Sequence, residues 1–298
     1  MTLAATADLL ASAAVERTAV LAFNVITIEH AEGISEGAER AGAAVLMQIS
    51  ENTVRFHGGR IEPLVSACAR IAESCAVPIA LHLDHFHDVT LLDEAVEIAP
   101  ALGVTSIMVD AAHLPYRDNV ARTRTFAEAA HAAELWVEAE LGEIGGKDHA
   151  AVSAHAPGVR TDPDEAVAFA EQTGVDGLAV AVGSTHAMTT RDACLDVALI
   201  QQLAARVPVP LVLHGSSGVS DDQLCVAVRA GIRKINVGTA LNIAYTGAVR
   251  EALAGDLTAT DPRRYLKAGR QAVGDTVADR CRAVQSLAPA RAGERDAR

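Results

Sequence analysis

The chain has 298 residues and a formal net charge of −13, and half of its residues are apolar. That length suits one large α/β domain or two small ones, and Lys, Arg, Asp or Glu breaks every apolar stretch before the roughly 18–20 residues of a membrane span. With no basic stripe, and only five Phe, three Tyr and one Trp to stack on bases, neither a nucleic acid nor a membrane is an expected partner.

The first twenty residues lack the basic start of a secretory signal and already carry Asp8 and Glu16. Five cysteines is an odd count. Cys68 and Cys75 fall seven positions apart on one expected helix, about 10.5 Å along its axis, too far to bridge. The five are expected to be reduced core residues of a cytoplasmic protein.

Along the chain, β-prone apolar runs recur at 18–25, 43–50, 78–85, 106–111, 135–142, 177–183, 209–216 and 233–239. Between them lie helical patterns such as HAEGISEGAERAG, TLLDEAVEIAPALG, DPDEAVAFAEQTG and SDDQLCVAVRAG. Several open on Asp or Ser and stop just before Gly. The strand-like runs are almost wholly apolar rather than alternating, as parallel strands buried on both faces require. Eight βα units in under 300 residues read as a single (β/α)8 TIM barrel over 1–287, with 288–298 as a disordered tail. A doubly wound open sheet is the alternative, but no GxGxxG fingerprint follows the first strand. The one long irregular stretch, 143–160, follows the fifth strand and has the composition of a lid.

A barrel builds its site from the C-terminal ends of its strands. Those ends carry Asn24, Ser50, Asp84 with His85, Asp110, Glu138 with Glu140, His186, His214 and Asn236, whereas the opposite ends are bland. Charge gathered at one rim is costly for a core and useful for a site. His85, His186 and His214, each from a different unit and with Glu140 and Asp110 nearby, match the donors of a catalytic Zn²⁺ with an open position. Any one of them alone could equally be a hydrogen-bonded barrel histidine. His82 points one layer deeper, as a core histidine would, and His87 and His113 fall in loops facing solvent. Asp84, beside a metal, is either a ligand or a general acid/base, and spacing leaves the choice open. HGSSG (214–218) and NVGT (236–239) follow the seventh and eighth strands, the usual phosphate cradle of such barrels, where N–H groups, Ser217 and Thr239 can donate to phosphate oxygens. Turn glycines in ordinary βα loops are the competing explanation.

With these residues placed, the chain resembles the class II, metal-dependent ketose-bisphosphate aldolases from about Ala22 to about Arg282. HLDH (82–85), VEAELGEIGG (137–146), VAVGSTH (180–186), LVLHGSSG (211–218), INVGTALNIAYTGAV (235–249) and DPRRYL (261–266) follow in that family's order. The resemblance implies Zn²⁺ on His85, His186 and His214, and Asp84 as the acid/base at the hydroxyl beside the scissile bond. Glu140 and Asp110 become carboxylates behind the metal or alternate ligands to it. Asn24 becomes a contact to the dihydroxyacetone phosphate half. Ser50 and Arg263 correspond to holders of the aldehyde-side phosphate; Gly215, Ser217, Asn236 and Thr239 form the other cradle, where a monovalent cation (Na⁺ or K⁺) can also sit. Asp148, on the lid, corresponds to the carboxyl group that reprotonates the carbanion.

The reaction implied is reversible retro-aldol cleavage of a ketose 1,6-bisphosphate, fructose 1,6-bisphosphate favoured, to dihydroxyacetone phosphate and glyceraldehyde 3-phosphate by a homodimer or homotetramer. Tagatose 1,6-bisphosphate or a related sugar phosphate is the alternative substrate. A metal-dependent hydrolase on the same barrel, or a non-catalytic subunit, are the alternatives of another class. Three positions depart from the family's pattern: Ala187 where Gly is common, Ala240 where an acidic residue is common, and Asp148 where Glu is usual.

Overall fold

Eight apolar runs become eight parallel strands because each is buried on both faces, against helices outside and against its neighbours' inward side chains within. The structure is a computed structural model and describes residues 3–141, 160–184, 191 and 193–285. The expected lid, apart from Arg160, and the tail lie outside the described residues.

The chain opens with α1 (Thr6–Glu16), β1 (Val20–Asn24), α2 (Ile28–Ala41), β2 (Val45–Ser50), α3 (Glu51–Phe56), α4 (Glu62–Ser74) and β3 (Ile79–Phe86). It continues through α5 (Val89–Ile98), β4 (Val104–Val109), α6 (Tyr116–Ala132), β5 (Trp136–Leu141), α7 (Pro163–Thr173) and β6 (Gly177–Val180). The last part is α8 (Val197–Arg206), β7 (Leu211–Leu213), α9 (Asp221–Ala230), β8 (Ile232–Val237), α10 (Thr239–Gly255) and α11 (Pro262–Gln285). Strand order is sequential, and β8 pairs with β1 through Val20–Lys234 to Phe23–Val237, so the sheet closes as a (β/α)8 barrel.

The helix starts obey local chemistry. Asp88, Asp162, Asp196 and Ser220 each accept a backbone N–H of the first turn that follows them. Gly42 and Gly174 end α2 and α7 in the left-handed conformation that a side chain resists.

Two cores result. The larger fills the space between sheet and helices; a smaller one inside the barrel's lower end joins Leu10 and Ala13 of α1 to Val20, Ala22, Leu46, Ala80 and Trp136. So α1 plugs the end away from the rim. Its Thr6 hydroxyl lies 2.7 Å from Ser106 Oγ, which lies 2.8 Å from His82 Nδ1, continuing a polar column up the barrel's interior. Of the five cysteines, Cys68, Cys75 and Cys281 are buried as expected, whereas Cys194 is exposed and Cys225 half-buried. Among the described residues no helix is long and apolar enough to cross a membrane.

Candidate active site

Side chains two apart on a strand share a face, and the barrel's inner wall is built from such pairs: Gln48 and Ser50, His82 and Asp84, Glu138 and Glu140, Lys234 and Asn236. A strict alternation would send His85 outward. The pairing of β3 with β4 prevents it, because Leu83 pairs with Ile107 and Phe86 with Val109, three steps on one strand against two on the other. The extra residue is a β-bulge, and His85 takes it up with φ of 52°, the left-handed region. Asp84 and His85 are thereby both turned to the mouth.

Asp84 is buried, and each of its carboxylate oxygens accepts one amide: Asn24 Nδ2 at 3.2 Å on Oδ2 and Asn236 Nδ2 at 3.3 Å on Oδ1. Both amides are themselves oriented from behind. Gln48 Nε2 donates to Asn24 Oδ1 at 2.9 Å, and Lys234 Nζ donates to Asn236 Oδ1 at 2.6 Å. Gly238 is needed for this packing, since a Cβ there would lie 2.7 Å from Asn24 Oδ1. Burial pushes the Asp84 carboxyl up, but His85, Lys234, His82 and His214 outweigh it and hold it below its ordinary value. Asp84 is therefore a carboxylate, an acceptor of protons.

The two described histidines of the expected metal set meet across the mouth, their rings 4.7 Å apart and steeply inclined at 68°. Each has one nitrogen on a carboxylate: His85 Nδ1 lies 2.7 Å from Asp110 Oδ2, and His214 Nε2 lies 2.9 Å from Glu138 Oε1. His214 Nδ1 is 3.1 Å from Glu140 Oε2, and His85 Nε2 is 4.0 Å from Asp84 Oδ1. Ligand atoms of His85, Glu140 and His214 all lie within 4.8 Å of one another. Two imidazoles and a carboxylate converging there, each imidazole backed by a second carboxylate, are a donor set that fits a divalent ion such as zinc.

Lys234, fully buried, pairs with Glu138 Oε2 at 2.8 Å. Burial raises the Glu138 carboxyl, but Lys234 and the His214 hydrogen bond outweigh it and keep it ionised. Burial alone would lower His214; hydrogen bonds to Glu138 and Glu140 overcome this and push it up to about 9. His82 is the reverse case, lowered to about 3 by burial and by Lys234, so it is a neutral core residue.

Of the residues expected to hold phosphate, Gly215, Ser217 and Thr239 follow β7 and β8 at the same rim. Gly215 has φ of 66°, a left-handed turn that lets the chain leave His214 sharply. Ser217 Oγ accepts the Ala240 N–H at 3.0 Å, tying this loop to the N-terminus of α10, where Thr239 sits. Ser50 caps α3 by accepting the Thr53 N–H. Arg263 is not drawn in: its side chain is 89% exposed at the start of α11 and its guanidinium pairs with Asp261. His186 and Asp148 lie outside the described residues. Sequence reasoning missed the orienting roles of Gln48 and Lys234; their position two residues before Ser50 and Asn236, on the same inward face, was the available signal.

The family model for class II fructose-bisphosphate aldolases matches residues 4–288. The chain belongs to that family. Among solved structures, the aldolase YdjI from Escherichia coli K12 is 29% identical and covers 96% of this chain and 98% of its own, with a TM-score of 0.79. A fructose-bisphosphate aldolase from Campylobacter jejuni superposes with a TM-score of 0.81 over 95% of this chain and 96% of its own. At 20% identity that second likeness speaks to the fold alone. Membership makes the chain a class II aldolase by family, a lyase acting on phosphorylated sugars, and the rim assembled by β1, β3, β5, β7 and β8 is where that chemistry belongs.

Proposed function

We propose that the protein cleaves a ketose 1,6-bisphosphate, fructose 1,6-bisphosphate by preference, to dihydroxyacetone phosphate and glyceraldehyde 3-phosphate. The observation that carries this reading is Asp84: a buried carboxylate oriented by two amides and held ionised by the neighbouring histidines and Lys234, 4.0 Å from the nitrogen of a histidine that faces a second histidine. A metal-dependent hydrolase would account for the histidines but would leave the HGSSG and NVGT loops and Arg263 without a role.

His85, His186 and His214 would hold the metal, Zn²⁺ by preference; when bound it would supply the Lewis acid that absorbs charge at the carbonyl as the carbon–carbon bond breaks. Asp84 takes the proton from the C4 hydroxyl as the C3–C4 bond opens, giving the aldehyde. The electron pair stays on the dihydroxyacetone phosphate half beside its carbonyl, and Asp148 returns a proton to it. Asn24 and Asn236 fix Asp84 and contact that half of the substrate. Gly215, Ser217, Asn236 and Thr239 cradle its phosphate through N–H and hydroxyl donors, with room for a monovalent cation, while Ser50 and Arg263 read the distal phosphate. Lys234 is no Schiff-base candidate, because its ammonium is buried and committed to Glu138 and Asn236. A cytoplasmic homodimer or homotetramer completes the reading.

The test is turnover of zinc-loaded protein on a panel of ketose bisphosphates, reading triose phosphate release. Release from fructose 1,6-bisphosphate is expected to exceed that from its C4 epimer, tagatose 1,6-bisphosphate. Asp84→Ala is expected to keep its zinc and lose turnover by at least a hundredfold, whereas His85→Ala loses both. Loss of zinc from Asp84→Ala would make Asp84 a ligand and overturn its role as base.

A further inference from the structure

Outside the site just described, the rim carries a second convergence of metal donors. His87, just past the end of β3, and Asp110 and His113, just past the end of β4, bring their ligand atoms within 4.8 Å of one another. Asp110 is buried, His87 half-buried and His113 exposed. His87 Nε2 stands 3.6 Å from Asp110 Oδ2, and the two imidazole rings are 5.6 Å apart. Donors around a zinc ion with bonds near 2.0–2.1 Å sit about 3.4 Å apart. His113, exposed on the rim, is the donor with most room to close that difference. Two imidazoles and a carboxylate favour zinc or cobalt over magnesium or calcium, which demand oxygen.

What gives this cluster consequence is the carboxylate it shares. Asp110 Oδ2 is also 2.7 Å from His85 Nδ1, so one oxygen faces both the histidine of the inner site and that of the rim. We propose that His87, Asp110 and His113 form a second, weaker, inhibitory site for a zinc-class divalent ion, coupled to the inner site through Asp110. An ion on Asp110 withdraws charge from the oxygen that supports His85, and His85 becomes a poorer ligand for the inner ion. Loss of such a supporting contact typically weakens a metal site by about 10–100-fold. The inhibitory coupling rests on the reading of His85 and His214 as metal ligands; the rim cluster itself does not.

The experiment uses the full chain, stripped with chelator and re-equilibrated with Zn²⁺ or Co²⁺ alone, counting ions per chain and timing release of the tighter one. Two ions are expected, the second binding more weakly and speeding release of the first about tenfold. His87→Ala and His113→Ala should each hold one ion, keep basal turnover, and lose both the accelerated release and the inhibition by excess zinc. A wild-type count of one that His113→Ala retains and His85→Ala loses overturns the rim site while leaving the inner site standing. A count of one lost in His113→Ala but kept in His85→Ala supports the rim site and overturns the inner one. Two ions in both rim variants, or a second ion without effect on the first, overturns the proposal.

Discussion

At the scale of single residues, His85 is held in a conformation that its side chain disfavours. A non-glycine residue in the left-handed region costs on the order of 1–3 kcal/mol, and such strain survives only where the surroundings enforce it. Here the enforcing feature is the bulge between β3 and β4, and the return is that a carboxylate and a histidine from adjacent positions face one mouth. Comparing His85→Gly with His85→Ala isolates the strain, since both remove the imidazole and both leave Asp110 without it. In chemical denaturation the glycine variant is expected to be more stable than the alanine variant by about 1 kcal/mol. Equal stability would mean that the backbone there relaxes freely. Nothing in LHLDHFHD announced the bulge, because register depends on what the partner strand does. What was legible was the polarity of the strand ends: Asn24, Asp84, His85, Asp110, Glu140, His214 and Asn236 do assemble at one rim. Lys234 was read only as too deep to react, and its two contacts, to Glu138 and to Asn236, come from strands 96 residues apart at the former and from its own strand at the latter.

At the scale of elements, the eight strands could be located because each is a largely apolar run, and several helices because Asp, Ser and Gly mark their ends. The terminal helices α1 and α11 gave no such pattern. Residues 262–285 hold five Arg and four Ala, and their helix is stabilised by what it packs on. That partner is α2, whose Gly33 and Gly37 leave no side chain between the two backbones. A Cβ on Gly37 would come 2.5 Å from the Gly274 carbonyl oxygen and 2.7 Å from Val277 Cβ. Glycines inside α2 lower its intrinsic propensity by roughly 1 kcal/mol each, so a reading by propensity alone counts against the helix the feature that makes its contact possible. Arg270 of α11 also pairs with Glu32 and Glu36 of α2 across the same seam. Gly37→Ala, which improves local helix propensity, is nonetheless expected to destabilise the protein by about 1–3 kcal/mol through overpacking. Thermal melting checks the sign. A stabilised Gly37→Ala would show that α11 can back away from α2 at no cost. If Arg263, which opens α11, reads the distal phosphate as proposed, the same variant is expected to raise KM more than it lowers kcat.

At the scale of the whole molecule, the buried histidines set how stability follows pH, and they act in opposite directions. His30 is buried against Tyr245, its ring stacked at 4.6 Å, and burial lowers it to about 4; His82, within the barrel, is lowered to about 3. Both are neutral in the folded state and take up a proton more readily when unfolded. Their contribution is therefore lost as pH falls from about 6.5 toward 4 and 3, with a slope on the order of 1 kcal/mol per pH unit for each. His214, pushed up to about 9 by Glu138 and Glu140, is protonated when folded. Its contribution is complete below about 6.5 and is lost as pH rises through 9. In the metal-free protein the three together predict greatest stability near pH 6.5, with a fall on either side. A metal on His214 needs the neutral ring, so binding must displace that proton. Two consequences can be measured. Calorimetry in buffers of different ionisation enthalpy should find one proton released per inner-site ion between pH 6.5 and 9, and zinc affinity should climb across the same interval. With saturating zinc, the alkaline fall should flatten while the acid fall, owed to His30 and His82 deep in the fold, remains. An alkaline limb unchanged by zinc would mean that His214 neither carries that proton nor gives it up to a metal, and would remove it from the ligand set.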